Sequence, residues 1–212
     1  MKNRVPPIKV EDSREDSMGK LHAPTPLIYF YSGTKLPSYA RHSINFAART
    51  WAGPVIFLTD TNPKKLAPRI KVENFTDWFK SNQYHSFLSK SPLDHGFREG
   101  FWLKAAMRFF VLHQYMVSSN LDRFFHLELD VLAFDLTGVP QILDRAGSGV
   151  FVPSLAEDHA IASLIYCNSS DKLGQLVSHF QKKAHLGNEM KILASFRGED
   201  SGLVTGLPSS ST

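Results

Sequence analysis

The chain predicts an α/β sandwich with a mostly parallel central sheet. Short apolar runs of strand length alternate with longer stretches of helical periodicity over most of its 212 residues, the pattern of βαβ units. Polar clusters follow the first apolar runs directly, where an open parallel sheet presents the carboxyl ends of its strands. Hydrophobic content of 42% and aromatic content of 12% suffice to fill one substantial core.

Residues 1–26 are charged and proline-containing and read as a disordered lead. Leu27-Ile28-Tyr29-Phe30-Tyr31 is a first strand, stopped by Ser32-Gly33. Residues 37–51 form a helix with Pro37 near its start, and Gly53-Pro54 breaks the chain. Val55-Ile56-Phe57-Leu58 is a second strand ending in Thr59-Asp60, and residues 70–75 a weaker third. Over 101–116, Trp102, Ala105, Ala106, Phe109, Leu112 and Met116 recur at helical spacing, with Trp102 and Phe109 assigned to the core. Strands are expected at 149–152 and 163–166. Helices are expected at 171–183 and 189–196, with Asp171 and Asn188 as caps. A single domain over 27–208 is the expected organisation, with truncation on its C-terminal side as the alternative.

Net charge is +4, which suits a small anionic substrate. There is no basic block interleaved with aromatics, which argues against nucleic acid as partner. The one cysteine, Cys167, excludes an intrachain disulfide and reads as a buried structural thiol. No apolar stretch reaches membrane-spanning length, and the N-terminus has no apolar signal core. A cytoplasmic protein is the default expectation. No Gly-x-x-x-x-Gly-Lys-Ser/Thr loop is present, so P-loop chemistry is disfavoured.

The run from Phe124 to Phe134 carries the chemistry. Read as one strand, it puts His126, Glu128 and Asp130 on one face and Phe125, Leu127 and Leu129 on the other. Two acids in apolar surroundings repel each other, and burying one unpaired charge costs several kcal/mol, roughly. A divalent cation at the strand end relieves both costs, because hard cations take oxygen ligands. The competing reading is a strand that emerges into solvent. His126 is either a third ligand or a core histidine bonded to backbone; its place further back in the strand favours the second.

Glu128-Leu129-Asp130 resembles the acidic metal motif of GT-A glycosyltransferases, in its Glu-x-Asp form. Phe101-Trp102, then Arg108-Phe109-Phe110, a polar turn, and His126-Leu127-Glu128-Leu129-Asp130-Val131-Leu132 resemble a group of nucleotide-sugar glycosyltransferases in which the metal element reads His-x-Glu-Asn-Asp. Here Leu129 replaces the Asn, which removes a polar contact but keeps both acids. A weaker likeness runs from Leu27 to about Leu207. It includes Asn188-Glu189-Met190, where Glu189 stands in place of a commoner Asp.

The resemblance implies a GT-A-like, Rossmann-like sandwich. It implies transfer of a sugar from a nucleotide-diphospho-sugar donor to a glycan or other hydroxyl acceptor, with Mn²⁺ or Mg²⁺ as cofactor. Tyr31, Ser32 and Gly33 would meet the nucleotide, Asp60 the base or ribose, and Arg98, Lys104 or Arg108 the diphosphate. Glu128 and Asp130 would hold the metal, Asp130 directly and Glu128 through water or onto ribose. Glu189 is the candidate catalytic base.

Plainer readings stand beside these. Asp60 forms turns readily, Arg108 suits a solvated helix face or a structural pair with an acid, and Arg98 is a loop arginine. Glu189 suits a helix's first turn, and Asp158 and His159 suit a surface loop or an acceptor loop. Two other functions compete: a degenerate GT-A-like binding or scaffold domain without turnover, and a metal-dependent nucleotidyltransferase or phosphohydrolase using the same carboxylates.

Overall fold

The computed structural model describes residues 24–133, 135–156 and 159–199. In chain order the elements are β1 (Leu27–Tyr31), α1 (Ser38–Thr50), β2 (Val55–Thr59), β3 (Ile70–Asn74), α2 (Asn82–Lys90), α3 (Phe101–Ser118) and β4 (Phe124–Leu127). Then come α4 (Val139–Arg145), β5 (Val150–Phe151), β6 (Ser154–Ala156), β7 (His159–Ala160), β8 (Leu164–Cys167), α5 (Ser170–Lys182) and α6 (Glu189–Glu199). Six strands form one sheet in the order β3-β2-β1-β4-β8-β5, and β6 and β7 pair separately. The pairs β3–β2, β2–β1 and β1–β4 are parallel. Only β8 runs against the rest, pairing antiparallel with both β4 and β5.

The strand sequences explain the layers. β1 and β2 are apolar at nearly every position, as strands covered on both faces must be, and successive side chains alternate between the two faces. Ile28, Phe30, Ile56, Leu58 and Phe124 enter a core completed by Phe87 of α2, Ala106, Phe109 and Phe110 of α3, Leu173, Leu176 and Phe180 of α5, and Ile192 and Leu193 of α6. Leu27, Tyr29, Val55, Phe57, Phe125 and Leu127 enter a second core with Ala40, Ile44, Ala47 and Ala48 of α1 and Leu143 of α4. The result is an α/β/α sandwich.

Several elements differ from their sequence expectations. The acidic run is not one long strand: β4 stops at Leu127. Helix α5 is capped by Ser169, whose Oγ accepts from Lys172 N at 3.3 Å, so Asp171 lies inside the first turn and is not the cap. Asn188 does cap α6, its Oδ1 accepting from Lys191 N at 3.1 Å. On α3 it is Leu103 that is buried, while Trp102 is half-buried and packs its ring edge-on against Phe101. Helices α2 and α4 were not expected. Each buries a single side chain, Phe87 and Leu143, so neither carries a strong apolar periodicity. Cys167 is buried as expected, and burial pushes its thiol up to about 12. The expected lead up to residue 23, the tail from residue 200, and Glu157 and Asp158 lie outside the described residues. No helix among the described residues is long and apolar enough to cross a membrane.

The packing makes a measurable claim. Phe180 is fully buried, stacked on Phe109 with ring centroids 4.7 Å apart and within 6.2 Å of Phe87 and Phe110. Phe180→Ala should cost about 3–5 kcal/mol in urea unfolding. A loss below about 1 kcal/mol would mean that α5 does not anchor this core.

Candidate functional site

β1 and β2 run in register, Tyr31 opposite Thr59, so the residues just past each strand meet. Asp60 accepts from the Ser32 hydroxyl at 2.6 Å and from Gly33 N at 3.0 Å, using both carboxylate oxygens. It therefore fixes the turn after β1. The Tyr31 hydroxyl donates to Lys35 O at 2.6 Å, which lays the ring across Gly33. A Cβ at position 33 would stand 2.7 Å from that hydroxyl, so any larger residue there would push the Tyr31 ring aside.

The second wall comes from β4. After Leu127 the chain turns: Glu128 N donates to Ser163 O at 3.0 Å, and Val131 N closes back onto Glu128 O at 3.1 Å. Glu128 and Asp130 therefore sit on a turn at the strand's end instead of alternating with His126 along a strand face.

His126 does belong to the strand. Its Nδ1 lies 3.0 Å from Ile28 O. A carbonyl only accepts, so Nδ1 carries the hydrogen and Nε2 the lone pair. Burial, and then the nearby Arg108 charge, hold its pKa down at about 3, against the pull of that backbone bond. It is a neutral core histidine bonded to backbone.

Helix α3 supplies the third wall. Arg98, Glu99 and Gly100 before it take φ of 45°, 58° and 77°, a run of left-handed backbone that is strained at the two non-glycine positions. Arg98, Lys104 and Arg108 line one cavity of 340 Å³ together with Tyr31, Ser32, Gly33, Glu128 and Asp130. Eight of the ten residues singled out in the sequence are thus brought together. The exposed rings of Tyr39 and Phe101, 57% and 46% accessible, also line it. Nothing in the sequence had set Tyr39 apart, and Phe101 stood out only as part of the Phe101-Trp102 pair, because an aromatic in a helix's first turn ordinarily reads as core.

The two exceptions have physical reasons. Asp60 stands behind the β1 turn that it holds and is not among the cavity-lining residues. Glu189 is buried, with 6% exposure, and is likewise absent from the cavity lining. A proton-accepting role on an acceptor is out of its reach in this conformation.

Glu189 meets Arg108 instead. Arg108, with 4% exposure, donates through Nη1 to Glu128 Oε1 and through Nη2 to Glu189 Oε1, each at 2.5 Å. Of the readings open for Arg108, the structural pair with an acid holds and the solvated helix face does not: a guanidinium stripped of water needs carboxylates, and two are supplied. Burial raises the Glu189 carboxyl pKa, the Arg108 charge opposes this, and Glu128 adds to the rise.

Glu128 and Asp130 offer carboxylate oxygens two residues apart on one turn at the cavity. Oxygen donors of this kind suit Mg²⁺ or Mn²⁺, which take one or two carboxylates and complete their shell with substrate phosphate oxygens and water. The donor set fits such an ion. Among the described residues no group of three His, Cys, Asp or Glu side chains is placed to hold a metal, so a bound ion would depend on substrate oxygens.

No protein-family model matches the chain, and no curated protein matches it. Among solved structures, the bifunctional glycosyltransferase WbbM, in an apo structure, aligns with a TM-score of 0.51 at 11% identity over 90% of this chain and 40% of its own. The PaToxG glycosyltransferase aligns with a TM-score of 0.49 at 10% identity over 85% of this chain and 72% of its own. The galactosyltransferase LgtC, in complex with donor and acceptor sugar analogs, gives 0.49 at 14% over 87% and 74%. At these identities the likeness is one of fold. The chain has a GT-A-like α/β/α sandwich, and it spans less than half of WbbM.

The depressed His126 pKa has a sign that can be tested. Between its ordinary 6.5 and about 3, the unfolded chain binds a proton that the folded chain refuses. This residue therefore removes stability as pH falls through that window, at up to about 1.4 kcal/mol per pH unit. Glu189, raised by burial, contributes with the opposite sign. The residue is isolated by comparing wild type with His126→Gln in urea unfolding at pH 6.5 and 4.5. Wild type should lose about 2–3 kcal/mol more than the variant. Equal losses would mean that His126 protonates in the fold.

Proposed function

We propose that this chain is a metal-dependent glycosyltransferase that moves a sugar from a nucleotide-diphospho-sugar donor to a hydroxyl acceptor. The observation that carries the reading is a cavity of 340 Å³ at the carboxyl ends of β1 and β4, lined by two turn carboxylates and by Arg98 and Lys104. Ligands of open α/β sheets bind at such an edge.

In this reading the turn of Tyr31, Ser32 and Gly33, held by Asp60, supports the nucleotide. Arg98 and Lys104 take the diphosphate, Arg98 with a planar donor pair suited to phosphate oxygens. Asp130 and Glu128 hold Mn²⁺ or Mg²⁺. When bound, the ion neutralises charge on the departing diphosphate as a Lewis acid. The remaining work is positioning, since transfer needs no covalent bond to the protein.

A second reading, a GT-A-like domain that binds without turnover, is favoured by one observation: Glu189, read from the sequence as the base, does not reach the cavity.

One experiment tests the first reading. Thermal stability is measured against a panel of nucleoside diphosphates and nucleotide sugars, with and without Mn²⁺, on wild type and Asp130→Ala. A ligand at a hundred times its dissociation constant should stabilise by about 2.7 kcal/mol, with one base, only in the presence of metal, and not in Asp130→Ala. No shift on folded wild type would remove the donor site. A shift without release of sugar and nucleoside diphosphate would leave the binding domain. Release of monophosphate or pyrophosphate would indicate nucleotidyl transfer or phosphohydrolysis instead.

A further inference from the structure

Three elements far apart in sequence converge on one guanidinium. Arg108 comes from the middle of α3, Glu128 from the turn after β4, and Glu189 from the first residue of α6. Both bonds are 2.5 Å. Arg108 and Glu189 are buried, while the Glu128 side chain keeps 34% of its surface and stands on the cavity wall. The chain of contacts thus runs from the interior outward and ends at the site.

Core stability does not call for this arrangement. A buried ion pair loses so much hydration that apolar residues of similar size commonly replace it at no loss. Nor is the pair a phosphate clamp, since one nitrogen at each end of the Arg108 fork already donates to a carboxylate. Its position suggests another use. Carboxylates that ligate metals are themselves held by hydrogen bonds from residues behind them, and those partners set the ligand's orientation.

Resting on the metal-dependent reading above, we propose that Arg108 and Glu189 are positioning residues for Glu128. They form a buried clamp that fixes Glu128 Oε1 and leaves its second oxygen for a cation shared with Asp130. Glu189 holds Arg108 from behind and cancels its charge, so that the anionic character of Glu128 and Asp130 persists at the cavity. The clamp also ties α6 to the acidic turn.

The charge balance supplies a clean test. Arg108 and Glu189 sum to zero, so Arg108→Met combined with Glu189→Met leaves the net charge of the site unchanged and releases only the orientation of Glu128. Mn²⁺ is titrated alone and with inorganic pyrophosphate, which offers a diphosphate without choosing a base, and free Mn²⁺ is followed by its electron paramagnetic resonance signal. The double variant, at an unaltered melting temperature, should bind Mn²⁺ about 10–100-fold more weakly than wild type.

Arg108→Lys guards against a folding failure of the double variant. It keeps the charge, but a single ammonium lacks the planar fork that spans both carboxylates, and the same direction of loss is expected. Wild-type affinity in either folded variant would overturn the clamp and leave the metal site standing. Failure of wild type itself to take up Mn²⁺ in the presence of pyrophosphate would overturn the metal reading, and the clamp with it.

Discussion

The burial of Arg108 constrains everything around the site. A guanidinium cannot lose its charge, so a helix that turns one into the protein interior must find carboxylates to meet it. Here they come from the turn after β4 and from the start of α6. Neither partner can move far without stranding a charge. That requirement links the placement of α3 on the sheet, the end of β4 and the docking of α6. Between them they define one side of the cavity.

The sheet supplies the other side by register. Because Tyr31 lies opposite Thr59, Asp60 meets Ser32 and Gly33, and the turn after β1 is held at the height of the acidic turn. Covering both faces of β1 and β2 with helices leaves the carboxyl edge as the place where polar groups can gather. His126 shows the boundary between the two regimes. It lies inside the strand, neutral and bonded to Ile28 O, and the polar chemistry begins two residues later.

Much of this was legible in the sequence, and the limits follow from the kind of signal available. The strands β1 and β2 and the helix α3 are long apolar or periodic runs, so their existence and order could be read locally. The gathering of Tyr31, Ser32, Gly33, Glu128 and Asp130 followed from a general property of parallel sheets. For Arg108 a structural pair with an acid was one of three open readings, but its partners could not be named, because they lie 20 and 81 residues away. Read locally, it is a cation one step off an apolar stripe. Glu189 suffered from the same gap: as the first residue of a helix it looks exposed, and only the packing of α6 buries it. Asp60 was read evenly as a ligand contact or a turn former, and its bonds to Ser32 and Gly33 make it the holder of that turn. Helix α4 is short and buries one residue, and in α2 only the brief Tyr84, Phe87, Leu88 spacing marks the helix, so neither was picked out.

The distribution of charge follows from these placements. Arg98 and Lys104 stand on the loop and first turn of α3 at the cavity wall, unburied, where their charge faces solvent. Arg108 sits one helical turn beyond Lys104 on the same helix and is buried. Helix α3 and the loop before it therefore present two kinds of cation. The outer pair lines the cavity where an anion would enter, with Lys104 only loosely paired to Glu99 at 3.8 Å, and the inner one is held by two carboxylates at 2.5 Å. Glu128 is the hinge between the two sets, bonded inward to Arg108 and open outward beside Asp130. If Glu189 were absent, the inner cation would be compensated by Glu128 alone, and the acidic turn would lose much of its charge toward the cavity. The buried acid on α6 is thus what allows the exposed acid on the turn to remain available.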